Sequence, residues 1–147
     1  MKQRDLLKGI IADVDLILGS NANFLLGNWI TTARSWGTND SEKKFLERNA
    51  RLQITSWGPA GGSLTQYAYK MWSSLVSDFY AKRFQIWFDE LDISLDTKKP
   101  FDQDRYTKRS LVWEAAWVEQ TNQYPVIPSG DTIAIAQRLH NKYANDS

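Results

Sequence analysis

The sequence predicts an all-α fold, a single bundle or array of about six or seven helices. Apolar residues recur at three- and four-residue steps almost throughout the 147 residues, the spacing that lines one face of a helix. Glycine, proline and capping residues fall where those runs break. No long alternating segment calls for a sheet. Residues 1–147 read as one domain, a length that buries a real core without disulfides or metals.

The first helix is outlined by Leu6, Leu7, Ile10, Ile11, Val14, Ile17 and Leu18, and Gly19 stops it. Phe24, Leu25, Trp29, Ile30 and Ala33 outline a second, ending near Gly37. The polar turn from Thr38 to Asp40 leads into a third, with an expected buried stripe of Phe45, Leu46, Asn49, Ala50, Gln53, Ile54 and Trp57. Gly58 and Pro59 end it, and Ala60, Gly61 and Gly62 make a short flexible connection. Ser63 and Gln66 then form a capping box for a fourth helix carrying Leu64, Tyr67, Ala68, Met71, Trp72, Leu75, Val76 and Phe79. So short a connection should make the third and fourth helices antiparallel neighbours.

Phe84, Trp87, Phe88, Leu91 and Leu95 extend a further helix, interrupted at Lys98, Lys99 and Pro100. From Asp102 a long segment carries Tyr106, Trp113, Ala116, Trp117, Gln120 and Tyr124 on one side, and Tyr124-Pro125 ends it. After a linker from Val126 to Gly130, Asp131 caps the last helix, with Ile133, Ile135, Ala136, Leu139 and Tyr143 as its stripe.

Composition narrows the chemistry. Eighteen basic and 17 acidic residues leave a net charge of +1, which offers no long-range field to nucleic acid or an anionic membrane. The chain has no cysteine, which excludes disulfides, thiolate metal sites and thiol catalysis. No stretch is apolar for long enough to span a bilayer. Asp5, Asp13 and Asp15 make the first 18 residues unlike a secretory signal, so any export signal is expected outside this chain. His140 is the only histidine and reads as a surface residue on the last helix. A P-loop is absent, and no metal or cofactor is expected.

Asp89, Glu90 and Asp92, Asp102 and Asp104, and Glu114 and Glu119 read as solvated faces and caps rather than a catalytic pair. Lys82-Arg83 and Lys98-Lys99 likewise read as helical surface. The aromatic share is high, with seven Trp, six Tyr and six Phe. Trp57 to Tyr67, WGPAGGSLTQY, sets a large aromatic at one helix end, a glycine-rich bend, and an aromatic inside the next helix. Trp57 and Tyr67 either plug the top of the bundle or form one wall of a sugar pocket.

Five stretches together resemble the C-terminal helical region of the α-N-acetylglucosaminidases, glycoside hydrolase family 89. They are FLLGNWITTAR from Phe24, ERNARLQITSWGP from Glu47, the helix start containing Tyr67, SSLVSDFYAKRFQIW from Ser73, and YPVIPSGDTIAIAQRLHNKY from Tyr124. The resemblance implies an exo-acting retaining glycosidase that removes terminal α-linked N-acetylglucosamine from glycans, heparan sulfate in the animal members. It implies two glutamates about 5 Å apart in a preceding barrel, which no segment here resembles. None of Glu42, Glu47, Glu90, Glu114 or Glu119 inherits either role. The chain alone is expected to be inactive, its catalytic residues lying in the partner barrel. Family members are typically exported or lysosomal.

On the family pattern, this domain completes the substrate pocket beside the barrel, with Trp57, Tyr67 and Leu64 facing the sugar. One extra residue within Gly61 to Ser63 leaves the register of Leu64 open. Asn49 and Arg51 are expected to support the helix end or the domain interface, bonding its free carbonyls. The alternative function is a free-standing helical module that binds carbohydrate or another protein.

Overall fold

The computed structural model describes residues 2–58 and 68–144. Among these residues there are six α-helices and no strand: α1 (Lys2–Gly19), α2 (Leu26–Ser35), α3 (Asp40–Ile54), α4 (Ala81–Thr97), α5 (Gln103–Val118) and α6 (Thr132–Ala144). A 3₁₀ turn, Ala22–Phe24, precedes α2, and a π-helical turn, Val76–Tyr80, runs directly into α4.

The caps act largely as the sequence implies. Asp102 accepts from the Arg105 amide at 2.9 Å, and Asp131 from those of Ile133 and Ala134 at 2.9 and 3.1 Å. Asn39 accepts from the Glu42 amide at 3.0 Å while Glu42 accepts from the Thr38 amide at 2.8 Å. Lys98 closes α4 at φ 53°, a left-handed position more usual for glycine.

Three expectations are corrected. The first is the inward face of α3, which is Glu47, Ala50, Arg51 and Ile54. Phe45 lies 62% exposed, Gln53 is exposed, and the helix stops at Ile54, short of Trp57. Hydropathy rotates the stripe because it sends Glu47 and Arg51 outward, whereas here they neutralise one another inside.

The second concerns the fourth helix. Its expected start, including Ser63, Leu64 and Tyr67, lies outside the described residues, but residues 69–74 are not helical. Ser73 instead pairs with the chain before α2. Its amide donates to Phe24 O at 2.8 Å, and its carbonyl accepts from the Leu26 amide at 3.3 Å. Ser74 turns at φ 70°. Asp15, from α1, accepts from the amides of Ser74 at 2.6 Å and Ser77 at 3.3 Å. This distant carboxylate supplies the cap, so the helix begins only at Leu75. Among the described elements, α3 packs on α2 and α5.

The third is the length of α5. It ends at Val118, and residues 119–131 form a strap. The strap is pinned where the Ser129 amide donates to Gly19 O at 3.0 Å. It runs so close to α2 that a Cβ on Gly27 would sit 2.1 Å from Pro125 O; only glycine admits that approach.

The core gathers Leu26 and Ile30 of α2, Ala50 and Ile54 of α3, Leu75 and Phe79 at the π turn, and Trp117 and Val118 of α5. Phe79 and Trp117 meet edge-on, with ring centroids 5.1 Å apart. Against this apolar centre lies Arg51, fully buried, its guanidinium 4.7 Å from the Trp117 ring. Its Nε and Nη2 donate to Glu47 Oε1 at 3.1 and 2.9 Å, and Nη2 also to Asn122 O at 3.0 Å. Nη1 reaches the Tyr124 hydroxyl at 3.3 Å. Arg34 donates to the other Glu47 oxygen at 2.6 Å. Asp78 accepts from the Tyr124 hydroxyl at 2.5 Å and from Trp117 Nε1 at 3.0 Å. Burial pushes the Tyr124 phenol up to about 12, and its hydrogen bond to Asp78 adds to this.

A second buried carboxylate joins α4 to α5. Glu90 has no exposed surface and accepts from Arg105 Nε at 2.5 Å and Arg109 Nη1 at 2.6 Å. Its sequence reading as part of a solvated face is therefore overturned; spacing along α4 carries no sign of two arginines arriving from α5.

Glu47→Gln should leave Arg51 buried without its countercharge and lower stability by about 3–5 kcal/mol, read from urea denaturation. An unchanged midpoint would contradict the network's role. The hydrogen bond from Arg109 holds the Glu90 carboxyl below its ordinary 4.5. Its contribution is thus complete above pH 4.5 and is lost as pH falls through the lower folded value. Denaturation midpoints measured across that acid range should fall in the native chain and flatten in Glu90→Gln.

Candidate functional site

The C-terminal end of α3 is finished by its own last turn. The Thr55 and Ser56 amides donate to Leu52 O at 3.3 and 3.1 Å, and the Thr55 hydroxyl donates to Arg51 O at 2.7 Å. Thr55 is fully buried and Ser56 half-buried, after which Trp57 emerges 45% exposed. Gly58 follows at φ +94°, and among the described residues none beyond its chain neighbours comes within 4 Å of where a Cβ would stand. The glycine is needed there for its backbone conformation, not for space.

Of the expected site residues, the structure therefore places Trp57 at the surface; Tyr67 and Leu64 lie outside the described residues. Arg51 does not bond the free carbonyls of the α3 end. It is committed to Glu47, Tyr124 and Asn122, because a buried guanidinium needs partners the core must supply. Asn49 is half-buried. Nearby, Trp29 donates through Nε1 to Ala50 O at 2.9 Å and packs on Trp72, with ring centroids 5.8 Å apart.

A polar cluster lies behind the Trp57 turn. Glu114 of α5 is only 5% exposed, with Arg83 Nε of α4 at 3.2 Å from its carboxylate. Arg83 donates through Nη1 to the Tyr69 hydroxyl at 2.7 Å and stacks over the Tyr69 ring. The Ser56 hydroxyl lies against Glu114 without an aligned hydrogen bond. Burial lifts the Glu114 carboxyl above its ordinary value, with Arg83 and Ser56 opposing the rise. Burial also pushes the Tyr69 phenol up to about 12 and raises that of Tyr80, whose ring lies 5.4 Å from it. The sequence reading had Glu114 and Arg83 on solvated surfaces. Their pairing spans two helices, and no local spacing announces it.

A cleft of about 610 Å³ opens elsewhere, between α2, α3 and the strap, lined by Gly27, Thr31, Arg34, Glu47, Asn122 and Tyr124 among others. Trp57 is not part of its lining. Three buried glutamates, Glu47, Glu90 and Glu114, each face an arginine. His140 is exposed on α6. Among the described residues no group of three His, Cys, Asp or Glu is gathered as a metal site, and no helix is long and apolar enough to cross a membrane. At the α3 end Trp57 is 45% exposed, on a turn where Gly58 takes φ +94°.

Comparison with known proteins gives this geometry its family. The profile of the α-N-acetylglucosaminidase (NAGLU) C-terminal domain matches residues 1–142. Human α-N-acetylglucosaminidase is 35% identical over 134 residues, 91% of this chain and 18% of the human protein. The Clostridium perfringens family 89 glycoside hydrolase, solved as a double Glu→Gln variant with its substrate GlcNAc-α-1,4-galactose, superposes with a TM-score of 0.79 at 27% identity. That match covers 95% of this chain and 16% of the bacterial chain. A family 89 glycoside hydrolase from Clostridium perfringens in complex with PUGNAc gives a TM-score of 0.78 at 28% identity, over 95% of this chain and 17% of that one. The chain thus spans less than a fifth of the length of these relatives. The all-α architecture, the order of the five sequence stretches and the match along nearly the whole length agree: this chain belongs to the α-N-acetylglucosaminidase C-terminal domain family, within glycoside hydrolase family 89.

Proposed function

We propose that residues 1–147 act as one accessory domain of an exo-acting retaining α-N-acetylglucosaminidase, completing the substrate pocket beside a catalytic barrel. Its ligand is the terminal α-linked N-acetylglucosamine of a glycan. Trp57 supplies a stacking face to that sugar, and Leu64 and Tyr67, seven and ten residues further along the same motif, complete the wall. The observation that carries the reading is the 45% exposure of the Trp57 side chain on a turn that Gly58 fixes at φ +94°. An indole left 45% exposed loses part of the burial a core aromatic would gain. Its placement is therefore suited to contact with something outside this chain.

The chemistry belongs to the barrel on this reading. Glu47, Glu90 and Glu114 are bound to arginines and do not form an acid and nucleophile pair across an open cleft. The chain alone leaves an aryl α-N-acetylglucosaminide intact. In the complete enzyme, Trp57→Ala should lower kcat/KM for that substrate by about tenfold, roughly 1.4 kcal/mol of transition-state stabilisation. Turnover by the isolated chain that vanishes on replacing one of its glutamates would sink the accessory reading. Saturable N-acetylglucosamine binding by the isolated chain, lost in Trp57→Ala, would favour the free-standing module instead.

A further inference from the structure

Asn39 and Asn145 alone among the asparagines stand two residues before a serine or threonine, with no proline between. That spacing is the acceptor sequence for N-linked glycosylation. Asn145 lies outside the described residues. Asn39-Asp40-Ser41 lies where the turn from α2 enters α3, and all three residues are exposed.

The motif makes the chemistry available, and its setting decides whether a glycan fits. Asn39 is the N-cap of α3, at φ −135° and ψ 170°. Its Oδ1 accepts from the Glu42 amide at 3.0 Å, so the oxygen carries the cap. Among the described residues no hydrogen bond uses Asn39 Nδ2; the Glu42 carboxylate accepts instead from the Thr38 amide and hydroxyl at 2.8 and 2.6 Å. A glycosylated asparagine keeps its Oδ1 and one N–H. The helix therefore retains its cap while Nδ2 bears the sugar.

A second observation lies three residues earlier. Trp36 closes α2 and is 79% exposed, more than any other large apolar side chain among the described residues. An indole so placed forgoes most of the burial that an aromatic gains in a fold. Gly37 folds the chain tightly onto the start of α3, since a Cβ there would stand 2.7 Å from the Lys43 amide. Trp36 and Asn39 are thus held in one turn, their Cα atoms no more than about 11 Å apart. A pyranose linked to Nδ2 lies within reach of the indole, and its C–H face is apolar enough to cover the ring.

We propose that Asn39 is an N-glycosylation site and that the first sugar of its glycan covers Trp36. The donor is a lipid-linked oligosaccharide, held by an oligosaccharyltransferase that reads the Ser41 hydroxyl. Asn39 Nδ2 attacks the anomeric carbon of the donor. The C–N bond forms, the bond from that carbon to the pyrophosphate oxygen breaks, and its electron pair leaves with the lipid pyrophosphate. The amide gives up one of its two protons, and nothing is oxidised or reduced. The 15-residue α3 is about 22 Å long, and Asn39 and Trp57 stand at its opposite ends, so the glycan leaves the proposed sugar wall clear.

The test secretes the 147-residue chain from eukaryotic cells behind a cleavable signal, with a tag that carries an established acceptor sequence. Peptide-N-glycosidase turns each glycan-bearing asparagine into aspartate, which peptide mass spectrometry locates. The expected result is conversion at Asn39 that is lost in Ser41→Ala, a variant that keeps the Asn39 cap intact. A glycosylated tag beside an unconverted Asn39, or conversion that persists in Ser41→Ala, overturns the site. For the second half, the acetamido methyl of the first sugar is followed by NMR on the purified glycoprotein. Ring current from Trp36 should shift it upfield, and Trp36→Ala should return it to the position of the free glycan. A methyl at that free position in the native chain overturns the covering of Trp36. Neither readout involves Trp57 or substrate, so their failure is distinct from failure of the pocket reading.

Discussion

A guanidinium taken out of water must have its N–H groups and its charge answered by protein, and Arg51 has this answered by four residues from three parts of the chain. Glu47 lies one turn back on the same helix, Trp117 presents its ring from α5, and Asn122 and Tyr124 arrive on the strap. Tyr124 and Trp117 are in turn held by Asp78 of the π turn, and Glu47 by Arg34 of α2. The core around these groups is apolar, so misplacing any one of them leaves a charge or a polar hydrogen unmatched in a poorly screening interior. The hydrophobic contacts supply the bulk of the driving force, but they are tolerant of small shifts. The Arg51 network is not, and it sets how α2, α3, α5 and the strap meet.

That arrangement explains which parts of the fold could be read in advance. Boundaries set by local chemistry were legible: Asp102 and Asp131 cap as expected, and Gly19 ends α1. Boundaries set by distant partners were not. The extended stretch before Leu75 exists because Asp15 and the chain ahead of α2 claim its amides. The segment after Val118 leaves the helix although its apolar spacing continues to Tyr124, since Tyr124 serves Asp78 and Arg51 rather than a helix face. An acid and an arginine at positions 47 and 51 look like a surface pair by spacing alone. Only the fold reveals that they point inward.

The candidate site divides in the same way. Trp57 at a helix end before a glycine was visible as a motif, and its exposed setting gives that motif a definite geometry. The buried pairing of Glu114 with Arg83 was invisible, since the two are 31 residues apart and sit among charges suited to a solvated face. The chain commits aromatic surface to the outside at one turn and charged side chains to the inside behind it. Both choices run against simple partitioning, and both occur at the same end of α3.

The attachment of α6 has a different implication. Ile135 is its one buried residue, and its ties include the pairing of Asp13 of α1 with Lys142 and Tyr143 and the contact of Ser20, just past α1, with Thr132. None of these belongs to the Arg51 network. Few buried contacts hold this helix, so its amides should exchange with solvent before those of the core. Protection should then grade along the fold, stronger in the helices around Arg51 than in α6.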